Sequence, residues 1–442
     1  MENWLWMSAG ELGRGIGAGE IDPVALTETY LEAIDGHDAR DRIYTVVTHD
    51  RARAEAAAAS HRAKHGIRKS ILDGVPISWK DLFDSAGVAT EAGSALLEGR
   101  VPAADARVLA TATQLGTVCL GKTHMSELAF SGLGLNPITA TPPNVNDPRA
   151  VPGGSSSGAA ASVAFGLAAM GIGSDTGGSV RIPSAWNDLT GLKTTTGRVS
   201  LDGVVPLVKS FDTVGPLCRS VEDCALGLAA LENGRAPDLR GADISGARIG
   251  VLQTLALDEV RAEPMAGFDK ARAALEKAGA VLEPFELPEV AEANGMSGIL
   301  FTSEAYGLWR DVIEAAPDKM FPEIRDRFRG GASHMAADFV AAWERLHEIR
   351  ALWAVKTAGY DAVILPTAPI LPPDAERLLA DHDYYVAENL LALRNTRVGN
   401  LMGLCALSLP TGVPSAGLMI LGRPGGEEAL LRLGKGAESA MS

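Results

Sequence analysis

Two serine- and glycine-rich loops, 153–158 and 176–179, enclose an Ala-rich segment at 159–169 and a strand-like run at 170–175. A helix carrying so little side chain must approach its neighbours closely. A helix and returning strand also bring the two ends of the unit near one another. Consecutive Gly177 and Gly178 let several backbone N–H groups converge on one point. Charge developing on a carbonyl oxygen needs donors already in place, and Ser179, directly after the glycines, is positioned to attack a carbonyl held there. On local sequence alone, a glycine-rich turn with a solvent-exposed serine accounts for the same residues.

The rest of the chain reads as α/β. Helical patterns occupy 23–38, opened by Pro23, 50–64, which Asp50 would cap, and 105–115. Strand candidates are 74–80, which ends in Lys80, then 117–120, 248–252, 361–367, 406–411 and 418–421, with a last helix at 426–440. Residues 262–278 and 302–357 are charged, mostly helical and poorer in glycine. The expectation is one catalytic unit over 1–442 with a helical insertion or cap at 255–357.

Composition narrows the function. Hydrophobic residues make up 46% of the 442-residue chain and aromatics only 5%. That balance suits close helix–sheet packing better than an all-β sandwich. A formal charge of −15 with no basic stripe speaks against a nucleic-acid or anionic-membrane partner. Cys119, Cys218, Cys224 and Cys405 are too scattered for a disulfide framework and form no CxxC pair. The acid at Glu2 and the absence of a long apolar run argue against a signal peptide and a membrane span, so the expected location is the cytoplasm.

Two motifs mislead. Gly116 to Thr123 matches the phosphate-loop pattern GxxxxGK[ST], which would make the chain a nucleotide-binding module. The four intervening residues are largely apolar and β-prone, whereas that loop needs a flexible, amide-exposing turn, so the segment reads as a strand. Gly154 to Gly158 satisfies GxSxG with Ser156 at its centre. The preceding prolines cannot form the central strand of a nucleophile elbow. Downstream, His334, His347 and His382 are available as bases, and His347 sits in a charged helical pattern typical of a surface.

The segments Gly153-Gly154-Ser155-Ser156-Ser157-Gly158 and Asp175-Thr176-Gly177-Gly178-Ser179-Val180-Arg181 together resemble the signature of the amidase signature family. Upstream, Gly74-Val75-Pro76-Ile77-Ser78-Trp79-Lys80-Asp81 is similar to the strand that carries that family's lysine. Ser179 follows Ser155 by 24 residues and Ser155 follows Lys80 by 75, as the family spaces them. Similarity covers about residues 65–230, including 121–128, 131–137 and 212–216, with a weaker echo at 361–440.

The resemblance implies a mixed central β-sheet flanked by helices and hydrolysis of a small-molecule amide, with no metal and no cofactor. It also implies the roles. Ser179 is the nucleophile, Ser155 follows a cis peptide and relays the proton, and Lys80 is the base, kept neutral by burial. Backbone N–H groups of Thr176, Gly177, Gly178 and Ser179 form the oxyanion hole. Ser156 would hydrogen-bond within the loop, steady Lys80 or cap the following helix. Asp175 and Arg181 would brace the turn, the reading favoured on the cost of an unpaired buried arginine, or Arg181 would meet a carboxylated substrate. Met125, Gly132 and Leu133 are expected near the acyl pocket, and a homodimer is common among relatives. A related reading is the amidase subunit of a glutamine-dependent tRNA amidotransferase. The family has a longer Gly-Leu-Pro strand where this chain has only Pro414 to Ile420, which leaves the substrate open.

Overall fold

Short runs of apolar or very small residues, buried on both faces, supply most of one large sheet. The computed structural model describes residues 2–442. In chain order the strands are β1 (Tyr44–Val47), β2 (Pro76–Lys80), β3 (Val118–Thr123), β4 (Met170–Ser174), β5 (Thr190–Lys193), β6 (Val214–Cys218), β7 (Arg248–Leu252), β8 (Val281–Phe285), β9 (Ala362–Pro366), β10 (Ala406–Pro410) and β11 (Gly417–Leu421). Among the described residues they form an 11-stranded sheet ordered β1-β3-β2-β4-β6-β5-β10-β11-β9-β7-β8. Pairing is parallel through β3-β2-β4 and through β9-β7-β8, and antiparallel elsewhere. With helices packed against it, this is the mixed α/β architecture expected from the sequence.

The Ala-rich segment behaves as its composition demands. It forms the helix Ser157–Ala164, shorter than the 159–169 expected, because Gly166 adopts φ 73 and turns the chain toward β4. A Cβ on Gly171 of β4 would sit 2.6 Å from the Ala159 carbonyl oxygen. At the helix start, a Cβ on Gly158 would meet the Ile43 oxygen at 2.6 Å and the His124 nitrogen at 2.7 Å. The helix therefore lies on the sheet at a separation only small residues permit.

Residues 255–357 are not helical throughout. The helix Ala262–Lys277 joins β7 to a parallel β8, so this part is a strand–helix–strand crossover belonging to the main sheet. Pro284 hides β8 from a sequence reading. β8 is the last strand in the order, and an edge strand tolerates a proline. Helices follow at Ser297–Ala315, Pro322–Arg329 and Ala336–Thr357.

The phosphate-loop match is a strand. Val118 to Thr123 is β3, buried throughout, and Lys122 Nζ donates to Asp81 Oδ1 at 3.0 Å and Thr90 Oγ1 at 2.9 Å. With its lysine bound inside the core and its amides in a sheet, this segment has nothing to offer a phosphate, and the nucleotide-binding reading falls. All four cysteines are buried and free. Among the described residues no helix is long and apolar enough to cross a membrane.

Gly158→Ala should destabilise the fold by about 1–3 kcal/mol, since the new methyl meets backbone on two sides. A urea unfolding midpoint unchanged from wild type would show that the helix can back away from the sheet.

Candidate active site

Lys80 closes β2. The parallel register on β4, with Trp79 opposite Ile172, carries it to the C-terminal end of β4. There its Nζ is hydrogen-bonded to Ser155 Oγ at 2.7 Å and Ser174 Oγ at 2.8 Å. Lys80 has no exposed surface. Burial pushes its pKa down to about 7, against the opposing pull of the Asp175 and Asp212 charges. A desolvated amine holds its proton weakly, so near neutral pH a large share of Lys80 is free to act as a base. Ser174 is a partner the sequence reading missed; its only trace was its place at a strand end before Asp175.

Ser155 is fully buried, and the Gly154–Ser155 peptide is cis. Its loop is held from below by two carbonyls: Gly153 N–H donates to Leu133 at 3.0 Å and Gly154 N–H to Gly132 at 2.8 Å. Gly132 and Leu133 thus support the loop that carries Ser155. Neither lines the cavity beside Ser179, whose walls include Ala129, Phe130 and Ser131 instead. Met125 is likewise buried away from that cavity, its carbonyl accepting from Asn136 Nδ2 at 2.8 Å. Ser156 does not reach Lys80. Its hydroxyl donates to the Ser174 carbonyl at 3.2 Å and accepts from Ser174 N–H at 3.3 Å, stitching the loop to β4. Its own N–H donates to the Ser179 carbonyl at 3.3 Å, which ties the two serine loops together.

The turn before Ser179 is organised by a carboxylate. Asp175 and Arg181 are fully buried and paired, with Arg181 Nη2 at 2.8 Å and Nε at 3.0 Å from the two oxygens. Arg181 also donates to the Thr396 carbonyl and to Asn400 Oδ1, both at 2.6 Å. Burial alone would raise the Asp175 pKa, but the Arg181 charge and hydrogen bonds, with Lys193 and Asn400, hold it well below the usual carboxylate range. Arg181 braces the turn; it has no exposed atom to offer a substrate. Asp175 also accepts from Gly178 N–H at 2.9 Å and Val180 N–H at 3.1 Å.

That contact corrects one expectation. The Gly178 amide is already bound to Asp175, whereas the N–H groups of Thr176, Gly177 and Ser179 donate to no backbone oxygen or side chain of the described residues. Gly178 has φ 141, and a Cβ there would lie 2.2 Å from Thr396 Oγ1, so only glycine fits. Thr176 is fixed by Asp212, which accepts from its Oγ1 at 2.5 Å. Ser179 is 4% exposed and borders a small cavity with Thr176, Gly177, Leu207 and Arg397. Among the described residues no hydrogen bond joins the Ser155 and Ser179 hydroxyls, whereas Ser155 Oγ accepts from Lys80.

One functional element escaped the sequence reading, the helix His382–Leu401. Asn389 Oδ1 accepts from Gly132 N–H at 2.9 Å, Thr396 Oγ1 donates to the Gly177 carbonyl at 2.7 Å, and Asn400 Nδ2 donates to Asp175 Oδ1 at 2.9 Å. These residues recur at roughly helical spacing, so one face of the helix clamps both serine loops. By contrast, the GxSxG reading finds no base: His334, His347 and His382 are all exposed.

The Amidase family pattern matches residues 25–431. The chain belongs to the amidase family. It is 35% identical over 434 residues to the 2-amino-5-chloromuconic acid deaminase of Comamonas testosteroni, covering 95% of this chain and 93% of that protein. It is 33% identical over 471 residues to a glutamyl-tRNA(Gln) amidotransferase subunit of Anaeromyxobacter sp. strain K, covering 97% of this chain and 95% of that protein. A crystal structure of an amidase superposes with a TM-score of 0.89 at 29% identity, covering 99% of this chain and all of that one. Like other amidase-family members, the chain is a hydrolase acting on amide C–N bonds.

Arg181→Met should cost about 3–5 kcal/mol, because it leaves Asp175 buried without its counter-charge. A thermal unfolding midpoint within a degree of wild type would mean that Asn400 and the backbone amides suffice to hold the carboxylate.

Proposed function

We propose that the chain hydrolyses a small carboxylic amide through an acyl-enzyme on Ser179, with Ser155 and Lys80 as the proton relay. The observation that carries this reading is the 2.7 Å contact between Ser155 Oγ and a fully buried Lys80 whose pKa lies at about 7. A serine hydroxyl is a poor nucleophile without an adjacent base. As Ser179 Oγ bonds to the amide carbon, its proton passes to Ser155 while the Ser155 proton passes to neutral Lys80. The carbonyl oxygen becomes an oxyanion, received by the N–H groups of Thr176, Gly177 and Ser179. When the C–N bond breaks, the same two groups return a proton to the leaving amine. Water then attacks the acyl carbon by the same route and releases the acid and free Ser179.

A second reading shares this chemistry: the amidase component of a glutamine-dependent tRNA amidotransferase, which would deliver ammonia to a partner. Similarity to such subunits over 97% of the chain supports it. Release of ammonia from simple amides by the purified chain alone favours the free-standing enzyme, and a strict requirement for partner and ATP favours the amidotransferase.

Ser179→Ala should abolish amide hydrolysis, and Lys80→Met should lower kcat by about 10²–10⁴-fold, the usual contribution of a positioned base. Near-wild-type ammonia release by either folded variant would end the mechanism. Because the base must be unprotonated, kcat/KM should fall as pH drops through about 7. A profile flat from pH 5 to 8 would mean that Lys80 does not titrate in the catalytic step.

A further inference from the structure

Two arginines reach the reaction site without a carboxylate to meet them. Arg397, from the clamping helix, is 7% exposed and lines the small cavity beside Ser179. Its Cγ lies 3.8 Å from where a Cβ on Gly177 would sit, so its stem runs along the turn that carries the free amides. Arg327, from the helix Pro322–Arg329, lines the same cavity. Both arginines and Phe301 also line a neighbouring cavity of about 340 Å³ with Asn389, Tyr385 and two carboxylates, Glu323 and Asp326, which lie against His382 and Arg325 and not against these arginines.

The protein gives these guanidinium groups little. Arg397 Nη1 donates to Ser297 Oγ at 3.3 Å, while Arg327 Nη1 donates to the Phe130 carbonyl at 3.0 Å and the Arg327 guanidinium lies 4.4 Å from the centre of the Phe130 ring. No carboxylate of the described residues forms an ion pair with either; burial lowers both, Arg397 to about 9 with Arg327 adding to the shift and Arg327 to about 10, so both stay charged at neutral pH. Arg51, Arg62, Arg181 and Arg198 each meet carboxylates, whereas buried Lys193 is held by the Thr194 and Leu404 carbonyls and Arg394 by Asn395, both away from the cavity beside Ser179. Two like charges on one cavity wall with no carboxylate in ion-pair contact are costly, and an anion arriving between them would relieve that cost.

Resting on the serine mechanism above, we propose that Arg327 and Arg397 form a carboxylate subsite, and that the substrate is an amide bearing a carboxylate a few bonds from the scissile carbonyl. A monoamide of a dicarboxylic acid has this chemistry. Planar guanidinium groups bind carboxylates through paired N–H donors, which fixes orientation as well as affinity. With the carboxylate held at the arginines, the amide carbonyl would be presented to Ser179 and the amides of Thr176 and Gly177. The arginines are positioning residues; the bonds made and broken stay with Ser179.

The test compares succinamate, glutaramate and adipamate with their uncharged diamides. Ammonia release by wild type should favour the carboxylated member of at least one pair by about tenfold or more in kcat/KM. Arg397→Met and Arg327→Met should each collapse that ratio by about 10- to 100-fold, and Arg397→Lys should retain part of it. Circular dichroism and thermal unfolding check that the variants fold. Binding is measured separately by calorimetry on the Ser179→Ala chain, where the monoamides should bind and the diamides bind at least tenfold more weakly. Equal turnover and equal binding within every pair, or no binding of any monoamide at millimolar concentration, would overturn the subsite. A preference that survives in both methionine variants would do the same. Neutral amides hydrolysed in a Ser179-dependent way without preference would leave the serine mechanism standing, whereas turnover by Ser179→Ala would remove the mechanism itself.

Discussion

An amine sealed inside the protein, with no carboxylate in contact, is the condition on which the rest of the site depends. Lys80 acts as a base only if the protein can hold it uncharged, and burial accomplishes this while Asp175 and Asp212 act in the opposite direction. The balance is delicate because Asp175 is needed nearby for another purpose. Arg181 pairs with Asp175, and burial outweighs the remaining pull of that carboxylate, leaving the Lys80 pKa pushed down to about 7. Ser155 and Ser174 then give the amine two neutral hydrogen-bond partners, which fix its position without strongly favouring either protonation state.

The same carboxylate shapes the turn that carries Ser179. Asp175 accepts from the amides of Gly178 and Val180 and leaves those of Thr176, Gly177 and Ser179, residues that border the cavity, without a protein partner. The helix His382–Leu401 secures this arrangement from outside through Thr396 and Asn400, while Asn389 secures the loop beneath Ser155. One helix therefore couples the Ser179 turn, the Ser155 loop and the cavity wall, and Arg397 on the same helix brings charge to that wall.

Part of this was legible in the residues. The 153–158 and 176–179 loops announce themselves because close approach and converging amides tolerate almost nothing but glycine and serine. The Ala-rich helix between them likewise had to pack tightly, and Gly171 shows how tightly. Other parts left no local mark. β5 and β6 are short and carry glycine or proline, so their pairing comes from neighbours and not from propensity. β8 contains Pro284, which argues against a strand until the sheet order places it at an edge.

By itself the sequence singled out the residues of the proposed relay: a lysine at a strand end and two serines in glycine-rich loops, at separations that fit one fold. Those identities are local, since each turn needs its own residues wherever it sits. Only the tertiary structure decided which amides remain free, because Gly178 is engaged only once Arg181 and Asn400 hold Asp175 in place. It also decided that Ser174 joins Lys80, and that Arg181 is consumed by bracing while Arg327 and Arg397 face the cavity. An arginine reads the same in a sequence whether it ends in solvent, in an ion pair or beside a nucleophile; burial and the whereabouts of carboxylates distinguish them, and both are set by segments far apart along the chain.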